Sequence, residues 1–248
     1  MTRADAPGKS IAQFQPLAGL DPASADRHYR RVHTPFARRT LREMPHVLAY
    51  HTNRARAELD LAGGWAQRPR AYRFVILRFQ AGRALEFPPE IRAEIAEDHR
   101  NFLREFRGFA VDEDVVVDRL SGQTALVKYL AEYERAEAGD AAPAVDRLRA
   151  GLVDLVAQGR EQFGLRQLLV NRVRAEAEAE PIDEPGQRPT DRRLPATTKA
   201  AFVEFYFDER DRAEQWFAQP GARAALLGGD WALARVSRVT EKCGLDRR

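Results

Sequence analysis

Asn53-Arg54-Ala55-Arg56-Ala57-Glu58 recurs 118 residues further on as Asn171-Arg172-Val173-Arg174-Ala175-Glu176. Each copy then reaches a Gln-Arg-Pro, at Gln67-Arg68-Pro69 and Gln187-Arg188-Pro189, and an apolar stretch, Tyr72 to Phe79 and Ala201 to Phe207. Phe74-Val75 matches Phe202-Val203 across a longer second loop. A spacing of this size exceeds solenoid periods and fits a duplicated unit of roughly 120 residues.

The order of elements supports duplication without the matched letters. In the first half a strand spans Ile11 to Leu17, and Asp21-Pro22 supplies an N-cap and a first-turn proline for a helix to about Met44. Val47 to Glu58 and Tyr72 to Gln80 read as strands. Pro88-Pro89-Glu90 opens a helix whose apolar face carries Ile91, Ile95, Phe102 and Phe106, and Val111 to Leu120 closes the half as a strand. The second half repeats the pattern with a strand Thr124 to Tyr133, a helix Pro143 to Phe163, strands Leu165 to Glu178 and Lys199 to Asp208, a helix Glu209 to Leu227 and a strand Trp231 to Glu241. Each half is thus β-α-β-β-α-β, an arrangement that puts both helices on one face of a four-stranded sheet. The other face is apolar and open, so the expected fold is α+β, with two ferredoxin-like units packed sheet to sheet in one chain. The units are 10–122 and 123–245, with Gly122 at the boundary.

Composition narrows the function. With 44% hydrophobic and 31% charged residues the chain is globular, and no apolar run approaches the ~18–20 residues that cross a bilayer. The N-terminal residues lack the apolar core of a signal peptide, so a cytoplasmic protein with no membrane partner is expected. Cys243 is the single cysteine, which excludes an intrachain disulfide and a cysteine-rich zinc site. The pI of 9.2 hides a balance of 40 basic and 37 acidic residues, interleaved along the chain, so nucleic acid is not an expected partner. No nucleotide loop and no ligand-spaced histidine motif is present, and neither a cofactor nor a metal is expected. His28 and His33, five apart on a helix, fall about 140° from a common face.

Two stretches resemble the EthD domain family. Tyr29-Arg30-Arg31-Val32-His33-Thr34-Pro35-Phe36 is similar to its aromatic-x-x-x-His-x-Pro signature, with tyrosine where tryptophan is commoner, and Pro45-His46-Val47-Leu48-Ala49-Tyr50-His51-Thr52-Asn53-Arg54 follows at the expected distance. Phe217-Ala218-Gln219-Pro220-Gly221-Ala222-Arg223-Ala224-Ala225-Leu226 resembles the family's late helix. The resemblance implies a dimeric α+β barrel, here as a tandem duplication. It also implies a role in aromatic or ether catabolism or polyketide tailoring, where some relatives act as decarboxylases or dehydratases. The wider superfamily includes cofactor-independent monooxygenases and haem enzymes. All five histidines lie in the first half, and the 118-residue offset carries His33 onto Gly151, so the second unit is degenerate at that position.

Tyr29 and His33 share a helix face with Val32 and Phe36, which sets the imidazole on or beside the buried side. His33 is the expected acid/base and Tyr29 its hydrogen-bonding companion or an oxyanion donor. Strand alternation sends Tyr50, Thr52 and Arg54 to one face and His51, Asn53 and Ala55 to the other, without saying which faces a pocket. The substrate-binding candidates are Phe36, Tyr50, His51, Asn53, Phe74, Phe79 and His99, the last with Asp98 and Glu94 close enough to shift its pKa. His28 and His46 read as solvent-facing or turn-bound and are given no role. Lyase-type proton chemistry on an apolar or aromatic small molecule is the leading expectation. A non-catalytic ligand-binding protein, or an oxygen- or haem-dependent monooxygenase, is the alternative, and a homo-oligomer is compatible with either. The loop Ile182 to Ala196 reads as a lid or a mobile segment.

Overall fold

The computed structural model describes residues 7–61, 64–66, 72–83, 86–120, 126–158, 164–181 and 197–247. The elements run β1 (Gly8–Pro16), α1 (Pro22–His28), α2 (Thr34–Arg42), β2 (Val47–Asp60), β3 (Gly64–Ala66), β4 (Arg73–Phe79), α3 (Pro89–His99), β5 (Leu103–Asp118), β6 (Val127–Glu134), α4 (Ala142–Ala157), β7 (Leu165–Pro181), β8 (Lys199–Phe207), α5 (Arg210–Ala218), α6 (Pro220–Leu226) and β9 (Leu233–Asp246). The Gly122 boundary, both Gln-Arg-Pro copies and the loop 182–196 lie outside the described residues.

The sheet corrects the expected fold class. The chain does not form two separate ferredoxin-like units stacked face to face. Eight antiparallel strands hydrogen-bond in the order β2-β4-β1-β5-β7-β8-β6-β9, and β9 pairs back onto β2, closing one barrel with β3 as a short hairpin arm on β2. The reason lies in strand length. β2, β5, β7 and β9 have 14 to 17 residues, against seven to nine in β1, β4, β6 and β8. Left at sheet edges they would expose long rows of N–H and C=O groups, and pairing β5 with β7 and β2 with β9 satisfies those groups across the two halves.

The inward faces meet in the lumen. Ile11, Phe74, Ile76, Phe109, Val111, Leu130, Phe202 and Val239 form an apolar plug. Buried ion pairs lie beyond it: Lys9 and Lys128 on Glu204, and Lys199 and Arg235 on Glu132. The helices pack on the outside. In the second half Tyr129, Tyr133, Phe205, Phe207, Trp216 and Phe217 fill the space between barrel and helices. Among the described residues no helix is long and apolar enough to cross a membrane.

Three local departures from the sequence reading have identifiable causes. Phe102 and Phe106 are not on the α3 face: the helix ends at His99, and Phe106 belongs to β5. The helix expected over 209–227 is split at Gln219, whose extended ψ of 134° is what a following proline enforces. The first helix is interrupted by a π turn over Tyr29–His33, in which the Thr34 N–H and hydroxyl both donate to the Tyr29 carbonyl. Pro35 has no N–H for the Arg31 carbonyl and its ring crowds that group, so the turn widens there.

Candidate active site

A pocket opens between the outer barrel wall and the helices of the first half. β1, β2, β4 and β5 supply Ala12, Phe14, Tyr50, Val75, Leu77 and Phe106. The helix side supplies His33, Phe36, Ala37, Thr40, Leu41, Ile95 and His99, with Phe87 and Arg92 also in the wall. It encloses about 830 Å³ including its open mouth. The lining is largely aliphatic and aromatic, the usual character of a small-molecule site.

His33 is buried in this wall, and its Nδ1 lies 2.6 Å from Asp98 Oδ2. The other Asp98 oxygen is 2.7 Å from His28 Nε2. Burial alone would raise the Asp98 carboxyl, but the hydrogen bonds from His33 and His28 outweigh it and hold the pKa below the ordinary value. An ionised carboxylate on Nδ1 fixes the imidazole orientation and leaves Nε2 as the nitrogen for proton transfer. The π turn makes this arrangement possible. Its wider i→i+5 turn brings residues five apart nearer one face, so His28 and His33 reach the same carboxylate, and Val32 turns out to solvent at 49% exposure instead of joining the apolar stripe.

His99 sits beside His33, with ring centroids 5.4 Å apart. Burial and the neighbouring His33 push its pKa down to about 3, against a smaller opposing effect of Asp98, so it is a neutral imidazole. Its Nδ1 is buried with no hydrogen-bond partner.

The other sequence candidates separate into three groups. Phe36, Tyr50 and His99 line the pocket with His33. Tyr29 lies behind it: its hydroxyl is 3.0 Å from the Tyr50 hydroxyl, and its ring sits 3.7 Å under the Arg73 guanidinium. Burial raises both tyrosines, Tyr50 to about 12, so the pair is neutral. Phe79 is buried in the surrounding core. Asn53 and Phe74 are cross-strand partners, and Phe74 belongs to the lumen plug, on the far side of the wall from the pocket. His51 also lies away from the pocket, at one end of the lumen, with Nδ1 3.0 Å from Glu241 Oε1. The face of β2 left open by alternation is therefore decided: Tyr50, Thr52 and Arg54 face the helices.

Sequence reasoning missed Asp98 as the partner of His33 and His28 as the second histidine on that carboxylate. Asp98 is 65 residues from His33, and no local pattern links them. A possible metal-ligand group was equally invisible: His51, Cys243 and Asp246 hold ligand atoms within 4.8 Å of one another, because β9 returns alongside β2.

No family model matches the chain, and no curated protein does. The EthD resemblance rests on the quoted motifs alone. Solved structures do match over nearly the whole length. An anthrone oxidase-like protein is 10% identical with a TM-score of 0.54, over 100% of this chain and 98% of that one. A candidate monooxygenase from Fusobacterium nucleatum is 6% identical with a TM-score of 0.52, over 96% and 93%. The neighbours are dimeric α+β barrel proteins, and at these identities the likeness is one of fold.

Proposed function

We propose that the chain is a small-molecule enzyme that holds an apolar or aromatic substrate in the first-half pocket and moves a proton with His33. The observation that carries this reading is the short Asp98–His33 hydrogen bond at the wall of an otherwise apolar pocket. His33 Nε2 takes a proton from a substrate carbon or hydroxyl, and Asp98 stabilises the imidazolium that forms. Returning the proton to a leaving hydroxyl would complete a dehydration, which is the lyase form of the chemistry.

A second outcome has its own support in the names of the structural neighbours, a candidate monooxygenase and an anthrone oxidase-like protein. An electron-rich aromatic anion made by the same proton removal can react with dioxygen instead of expelling a group. The test is to incubate the protein with hydroxylated aromatic substrates, anthrone among them, and follow substrate loss together with dissolved oxygen. Loss without oxygen uptake supports the lyase form, and matched uptake the oxygenase form. Saturable binding with no consumption would make the chain a binder. A folded His33→Ala protein with undiminished turnover overturns the proposal.

A further inference from the structure

A second cavity lies behind the first, on the far side of the Tyr29–Tyr50 hydroxyl pair. Its wall is formed by α1, the π turn, α2, the outer faces of β2 and β4, and the end of β9. Six cationic side chains line it, Arg30, Arg38, Arg54, Arg56, Arg73 and Lys242, against one carboxylate, Asp26. Over the whole chain the basic and acidic residues number 40 and 37, so a six-to-one lining is a local departure from a balanced surface.

The interior of this cluster is built. Asp26 is buried, and its two oxygens take Arg54 at 2.7 Å, Arg30 at 2.9 Å and Arg73 at 3.0 Å. The Arg73 side chain is itself only 4% exposed and is stacked on Tyr29, which fixes the plane of its guanidinium. A single negative charge thus organises three cations and leaves them in excess. Among the described residues Arg38, Arg56 and Lys242 have no carboxylate within ion-pair distance, and they complete the rim. Arg56 Nε is held at 3.0 Å from Thr240 Oγ1. Its pKa is lowered by partial burial and then by Arg54, with Arg73 and Arg30 adding to the crowding and Asp26 only partly offsetting it.

We propose that this cavity binds a small, doubly charged oxyanion, the phosphate monoester or dicarboxylate group of a small molecule. Guanidinium forks offer paired N–H donors to such a group, and a dianion matches the surplus charge better than a monoanion does. The site is distinct from the His33 pocket and stands whether or not His33 is catalytic.

The test is isothermal titration of the full chain with inorganic phosphate at low ionic strength, and separately with succinate. The expected result is saturable binding at one site per chain, weakened at least tenfold in an Arg56→Gln/Lys242→Gln protein. Both residues are exposed, and an unchanged melting temperature verifies folding. Arg212→Gln, an exposed arginine of the second half, is the control and should alter affinity less than twofold. Binding of phosphate but not succinate assigns a phosphate group, and the reverse assigns a dicarboxylate. No saturable binding of either probe, or an equal loss in the Arg212→Gln control, overturns the proposal.

Discussion

Asp98 bridges His33 and His28, with one carboxylate oxygen 2.6 Å from Nδ1 of His33 and the other 2.7 Å from Nε2 of His28. One acidic side chain at the end of α3 thereby fixes the orientation of the imidazole that the pocket presents to a ligand.

His33→Ala is expected to reduce turnover by roughly 10²–10⁴-fold, the usual contribution of a positioned acid/base. Asp98→Asn keeps the shape but loses the charge that stabilises an imidazolium, so it should lower turnover less than His33→Ala while leaving substrate affinity nearly unchanged. Steady-state kinetics of both proteins, with kcat and KM separated, checks this. A fall in affinity without a fall in kcat for Asp98→Asn would assign it to binding instead.

Stability should fall on acidification through His99. Its folded pKa is about 3 against an ordinary 6.5, so between these values the unfolded chain binds the proton and the folded chain does not. The contribution is complete above pH 6.5 and is lost progressively as pH drops toward 3. Asp98, also lowered, adds a loss only below the ordinary carboxylate value of 3.8. Melting temperature measured from pH 7 to pH 4 should drop in the native protein and drop less steeply in His99→Gln.

Gly151→Ala should stabilise the fold by about 0.5–1 kcal/mol, the cost of a mid-helix glycine relative to alanine. A methyl there would meet Ala225 of α6 at 3.5 Å, ordinary van der Waals contact. Gly151→Leu should destabilise by about 1–3 kcal/mol, because the larger side chain must force α4 and α6 apart. Chemical denaturation of the two proteins measures both signs.

The lumen charges should be costly to break. Glu204 is buried between Lys9 and Lys128 and accepts from Asn171 Nδ2 at 3.1 Å. Glu204→Gln removes the carboxylate the two buried lysines share, leaving Glu113 to Lys9 and Glu241 to Lys128, and is expected to cost about 3 kcal/mol, the lower end for a broken buried pair. Phe202→Ala, in the apolar plug, should cost about the same by opening a cavity. Urea titrations of both, compared with the native chain, measure the two costs, and a neutral result for either would overturn the packing of an apolar plug against buried ion pairs in the lumen.

The order of strands and helices was legible because hydrophobic period, N-caps and prolines are local signals. The Asp21 carboxylate does cap α1, accepting from the Ser24 N–H at 2.9 Å, and the strand beginning at Val47 stands as read. The Tyr29 to Phe36 motif marked the segment that carries His33. Its geometry was not legible, because an ideal α-helix keeps His28 and His33 apart, and only the π turn before Pro35 brings them to one carboxylate.

The sequence by itself determined the element order and the position of the histidine, since each is written in neighbouring residues. Tertiary structure decided the closure of eight strands into one barrel, the face of β2 that meets the helices, the pairing of Asp98 with His33 and the gathering of cations around Asp26. These depend on groups far apart in the chain. Unpaired edge strands, buried charge and desolvated imidazole have energies that exist only once the chain has folded around them.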